Sequence, residues 1–206
     1  MELFVSASPD IKEELRRYCE LYASAEQACK RWELTTLNGV LIPAINELRC
    51  AGHHMIRACL ADDEQVALKE IRIGQEHAER AIHDTYDGIA IYYIEQSNQF
   101  LDEFKNIPIS QVYPGFLENR RKFEDTKRAL SRTPRTPKTE TDISTKAKHI
   151  DALQEVYDNF ENAREELNKL KRKDRIEARK FIITFIMSSL GLLVAILGAV
   201  RVWLKW

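Results

Sequence analysis

Apolar residues recur every three or four positions along most of this chain, the period of a helix with one buried side, and no long alternating apolar–polar run appears. Ser8-Pro9-Asp10 is a good helix start, with a serine cap and proline at the first helical position. The first helix then carries Ile11, Leu15, Tyr18, Tyr22, Ala25, Cys29 and Trp32, and Asn38-Gly39 is expected to end it. A second helix is predicted from near Pro43 to about Leu60, with a buried stripe of Ile45, Leu48, Gly52, Met55, Ile56 and Cys59. Asp62 and Asp63 cap a long third helix to about Lys105, with Gly74 or Gly88 as expected bend points. Pro108 and Tyr113-Pro114-Gly115 mark a loop, and a fourth helix covers about 116–130.

The breaker-rich stretch "SRTPRTPKTETD" reads as an exposed linker. Beyond it, Ile150, Leu153, Tyr157, Phe160, Leu167 and Leu170 line one side of a helix with no breaker before the C-terminal apolar run. Residues 181–200 contain no charge, and twelve of them are Phe, Ile, Leu or Val. A helix of that length is about 30 Å long, the thickness of a bilayer's hydrocarbon core, so the sequence predicts a membrane span. Seven basic residues precede it: Lys169, Lys171, Arg172, Lys173, Arg175, Arg179 and Lys180. This basic collar is expected to keep the preceding chain on the cytosolic side of an inner membrane. Within the run, Thr184, Ser188, Gly191, Ala195 and Gly198 form a seam of small residues suited to self-association.

Composition narrows the field. The 206 residues carry 31 basic and 32 acidic side chains, and with the collar set aside the remainder is net acidic, so no DNA partner is expected. The four cysteines lack paired short spacing and are expected as buried reduced thiols; neither a metal nor another cofactor is expected. The N-terminus "MELFVSASPD" lacks an apolar stretch of useful length, so no signal peptide is predicted.

Candidate chemistry gathers on the second and third helices. Asn46, Arg49, His53 and Arg57 share one flank of the second, and His54 points nearly opposite its predicted stripe. The third helix offers His77, Arg80 and Asp84, with Asp87 continuing the strip. Interhelical hydrogen bonding would use these residue types. So would RNA cleavage without a metal, which needs a base, an acid and a cation for the phosphorane.

The segment Arg49-Cys-Ala-Gly-His-His54, with the neighbouring "INELRCAGHHMIRAC" and "EHAERAIHDTYDGI", resembles the HEPN superfamily (higher eukaryote and prokaryote nucleotide-binding) over about residues 5–130. The resemblance implies an all-helical, often dimeric domain and a metal-independent endoribonuclease site with Arg49, His54 and His53 as catalytic residues. Cys50 stands where active members commonly carry a polar residue. Together with the apolar end, the chain resembles membrane-anchored HEPN accessory proteins of CRISPR defence. That likeness implies an antiviral effector that self-associates, perturbs the bilayer as a pore, and partners RNA or an RNA-guided CRISPR effector. The alternatives are a membrane-tethered endoribonuclease and a coiled-coil membrane scaffold. The expected architecture is all-α: a HEPN-like bundle (1–132), a flexible linker (133–145), an amphipathic and basic stalk helix (146–180), and a single transmembrane helix (181–203) continuous with it.

Overall fold

The computed structural model describes residues 8–37, 39–132 and 140–203, with side chains from 142 to 191 in the last stretch. The described residues form six helices: α1 (Pro9–Thr36), α2 (Ile42–Cys59), α3 (Glu64–Glu103), the single-turn α4 (Ile109–Val112), α5 (Phe116–Arg132) and α6 (Glu140–Trp203).

Local chemistry sets the ends. The Ser8 side chain accepts from the Ile11 amide, with Pro9 opening α1. Leu37 closes that helix in the left-handed region (φ 53°), donating its N–H to the Glu33 carbonyl, and Gly39 follows at φ 74°. Asn38 of the expected stop lies outside the described residues. Asp63 caps α3, its Oδ1 accepting from the amides of Gln65 (2.6 Å) and Val66 (3.3 Å).

α3 is the shared spine. Its first half packs with α1 and α2 around Ile11, Tyr18, Leu21, Leu48, Ile71 and Ile82, with Ala44, Ala51 and Ala58 lining the α2 side. Its second half packs with α4, α5 and α6 around an aromatic core of Phe100, Phe104, Phe116, Phe123 and Phe160. Phe100 and Phe160 stack at 4.6 Å with planes 5° apart. α3 runs unbroken through both expected bend points, and the glycines instead admit neighbours. A Cβ on Gly74 would sit 2.8 Å from the Tyr18 ring and 3.3 Å from the Ala51 carbonyl, and one on Gly88 would sit 2.9 Å from Trp32.

Four expectations require correction. First, α2 buries Ala44, Leu48, Ala51 and Ala58, whereas Ile45 and Ile56 are exposed. Alanines at seven-residue spacing let α2 approach α3 closely, and this close contact outweighs burial of the larger isoleucines. The helix is therefore turned from the predicted stripe by most of one residue's rotation. Second, of the four free cysteines only Cys29 is buried; Cys50 is half-buried, and Cys19 and Cys59 are exposed. Third, α6 already begins at Glu140, inside the stretch expected as linker, and residues 133–139 lie outside the described ones. Its first half is part of the bundle, burying Ile150, Leu153, Val156, Phe160 and Leu167.

The fourth correction concerns the end of the chain. The stalk does continue as helix through Trp203, but among the described residues no helix is long and apolar enough to cross a membrane. Ala195 and Gly198 of the expected seam, and the rest of the run beyond Gly191, lie outside the described side chains.

Candidate functional site

The turn of α2 about its axis decides what its polar residues meet. Glu47 and His54 come to the edge facing α3, and Asn46, Arg49, His53 and Arg57 are left on the exposed side. His54 thus joins α3 instead of pointing away from it. Its Nδ1 lies 2.7 Å from Glu70 Oε2, and because the carboxylate can only accept, Nδ1 carries the proton. His77 Nδ1 lies equally close to Glu47 Oε2, which also accepts from Arg80 Nε at 2.9 Å. The two imidazoles stack with centroids 5.1 Å apart and planes 18° apart. His54 is thereby oriented by a carboxylate, with its Nε2 the remaining basic nitrogen, whereas His77 Nδ1 lies between the accepting Glu47 carboxylate and the Arg80 Nη2, a group 2.9 Å away that only donates.

Electrostatics match the geometry. The hydrogen bond from His54 holds the Glu70 carboxyl below its ordinary value against the opposing effect of burial. Burial pushes Glu47 up, but the hydrogen bonds and charges of Arg80 and His77 outweigh it and its pKa is lowered. Both ties between α2 and α3 are therefore fully present above the usual carboxylate range and weaken as pH falls through the lowered values.

Arg49, Cys50, His53 and His54 line one recess of about 290 Å³. The rings of His53 and His54 meet edge to face at 6.2 Å. Arg49 and His53 are exposed, and among the described residues neither Arg49 nor Arg57 makes an ion pair. The recess thus joins a free guanidinium, an exposed imidazole and an imidazole held by Glu70, with a thiol in its wall.

The predicted residues do not all converge. His54, His77 and Arg80 come together, through Glu47 and Glu70, whereas Asn46, Arg49, His53 and Arg57 form a separate outer ridge that touches the cluster only through the recess. Asp84 lies within the field of Glu47 and Arg80 without a hydrogen bond or ion pair to either, and opens on a cavity of about 710 Å³ lined also by Asp87, Lys127 and Lys146; burial first, then the charges of Glu47 and Asp87, raise its carboxyl. Among the described residues no group of three or more His, Cys, Asp or Glu is placed to hold a metal ion. Glu47 and Glu70 were missed from the sequence. The available signal was the heptad of alanines, which puts Glu47 beside the contact seam.

Compared with known protein families, with curated proteins and with solved structures, the chain matches none. Its function is read from its own residues.

The collar is exposed along α6. Lys169 pairs with Glu165 and Glu166, and Lys171 with Glu103. Lys171, Arg172 and Arg175 line a shallow cavity with Asn168. Beyond them Phe181, Ile182, Ile183, Phe185, Ile186, Met187 and Leu190 are all more than half exposed.

Proposed function

We propose that the chain is a HEPN-like effector that takes RNA into the α2 recess and cleaves it without a metal ion. The observation that carries this reading is the recess itself, where an unpaired Arg49 shares one wall with a carboxylate-oriented His54 and an exposed His53. In the step proposed, neutral His54 takes the proton of a ribose 2′-hydroxyl at Nε2 while the 2′-oxygen attacks phosphorus. The bond from phosphorus to the 5′-oxygen breaks, and protonated His53 gives that oxygen its proton. The products are a 2′,3′-cyclic phosphate and a free 5′-hydroxyl. Arg49 balances the negative charge that grows on the phosphorane oxygens.

The test uses the full-length protein and a single-stranded RNA labelled at both ends, with EDTA present. Wild type should cut it, leaving cyclic-phosphate ends, and Arg49→Ala should cut about 10²–10³ times more slowly. Wild-type protein that leaves the RNA intact would overturn the proposal.

A second reading, an effector that assembles through the end of α6, is favoured by the exposed apolar side chains after the collar. Thr184, Ser188 and Gly191 are the described members of its seam. A Cβ on Gly191 meets nothing within 4 Å in a single chain, so leucine there reports on association and not on folding. Gly191→Leu is expected to lower the mass of the detergent-solubilised particle while leaving the unfolding temperature unchanged. An unaltered mass would count against assembly through this face.

A further inference from the structure

The first turns of α6 are held to α3 by a contact that the RNA reading does not use. Lys146 and His83 are each only 3% exposed, and the lysine Nζ lies 3.4 Å from His83 Nδ1. An ammonium only donates, so Nδ1 accepts and the ring proton sits on Nε2, which is buried without a hydrogen-bond partner. On its other side Lys146 pairs with Asp87 at 2.5 Å. The fully buried apolar seam of α6 starts only at Ile150; before it, Ile143 is half-buried against the first core. The His149 Nδ1 is also buried without a partner.

We propose that His83 and Lys146 form a proton-operated latch, which holds residues 140–149 on α3 while the imidazole is neutral and releases them when it takes up a proton. A proton arriving at Nδ1 removes the acceptor of the lysine hydrogen bond and sets two cations side by side out of water. The charged groups whose fields reach His83 are Lys146 and Asp142 from α6 and Asp87 from its own helix, and α1 brings the Cys29 thiol, whose pKa burial raises, into the same core. Burial first, and then Lys146, hold the imidazole down to about 4, against the pull of Asp87 and Asp142. The sign follows from neutrality being favoured in the docked state. The latch is fully closed above the ordinary histidine value, loosens as pH falls from there to about 4, and changes no further below. The cavity beside Lys146, bounded by Asp84, Asp87 and Lys127, gives water a way in.

Hydrogen exchange on the full chain, corrected for intrinsic rates, tests this. The opening constant of 140–149 should rise by up to tenfold per pH unit below 6.5 and reach roughly 150-fold near pH 4, levelling off at about 300-fold below it, while the α1–α3 amides change little. In His83→Gln, whose amide oxygen still accepts from Lys146 but cannot titrate, the same amides should show no such rise. Equal rises in both proteins, or no rise in wild type, would sink the latch. An NMR titration of the wild-type imidazole is the second measurement and needs no variant. Titration near 4, moving upward in Lys146→Met, supports the latch, and titration at the ordinary histidine value overturns it.

Discussion

Replacing His54 by alanine is expected to slow RNA cleavage by about 10²–10⁴-fold, the usual contribution of a positioned acid or base. Arg49→Ala removes one stabilising charge, whereas His54→Ala removes the group that accepts the proton, so the histidine change should be the larger. Two consequences need separating. His54 also ties α2 to α3 through Glu70, and both side chains are mostly out of water, 16% exposed each. Its loss leaves Glu70 without its closest partner and is expected to cost about 1–3 kcal/mol of stability as well. Glu70→Gln divides the two effects, because the amide oxygen still accepts from Nδ1–H but no longer carries charge. It should retain most of the stability and lose part of the rate, since the imidazole keeps its place without the carboxylate's help in bearing a proton. Single-turnover rates of cleavage, set beside unfolding temperatures, decide between the roles. If His54→Ala and wild type cleave equally, His54 is a strut and not a catalyst.

Phe160→Ala is expected to destabilise the protein by about 4 kcal/mol, within the range for truncating a fully buried aromatic ring. The ring stacks on Phe100, lies 6.2 Å from Phe116, and stands in the middle of the seam by which α6 joins α3 and α5. Little nearby can collapse into the space. Arg164, which covers Phe100 and Phe104 and is paired to Glu103 and Glu161, is held in place by its own partners. Because Phe160 belongs to the second core only, the loss should fall on α5 and α6, with the α1–α2–α3 packing surviving longer. Urea unfolding followed by limited proteolysis should show α6 cut first. A midpoint equal to wild type would mean that the stacked rings do not hold α6, and simultaneous cutting of α1 and α6 would mean that the two cores are not separate in the way their contacts indicate.

Much of the fold was legible because its signals are local. The serine-proline start, the aspartate cap of α3 and the helical spacing of Ile150, Leu153, Phe160 and Leu167 each depend on residues close in sequence. The side of α2 that is buried was not legible. Isoleucine outweighs alanine in any reckoning of apolar content, whereas the decisive quantity was how near two backbones approach at Ala51 and Gly74. That single misplacement hid Glu47 and Glu70 and turned His54 outward. For the recess residues Arg49, His53 and His54 the sequence offered residue types without an arrangement, since which of them meet depends on that rotation. The Lys146–His83 contact joins positions 63 residues apart and had no local trace.

α6 continues to Trp203, yet the last described side chain it buries is Leu167. Past Lys171, which reaches Glu103 and the Phe104 ring, the described side chains from 172 to 191 are exposed, so about 30 Å of helix projects past its last contact with the bundle like a cantilever. A tilt of about 5° at the Phe160 fulcrum would swing the helix at Gly191 by roughly 4 Å, given the stiffness of an unbroken rod. Whatever the tip grips would register ångström-scale adjustments among the aromatic rings as a displacement several times greater.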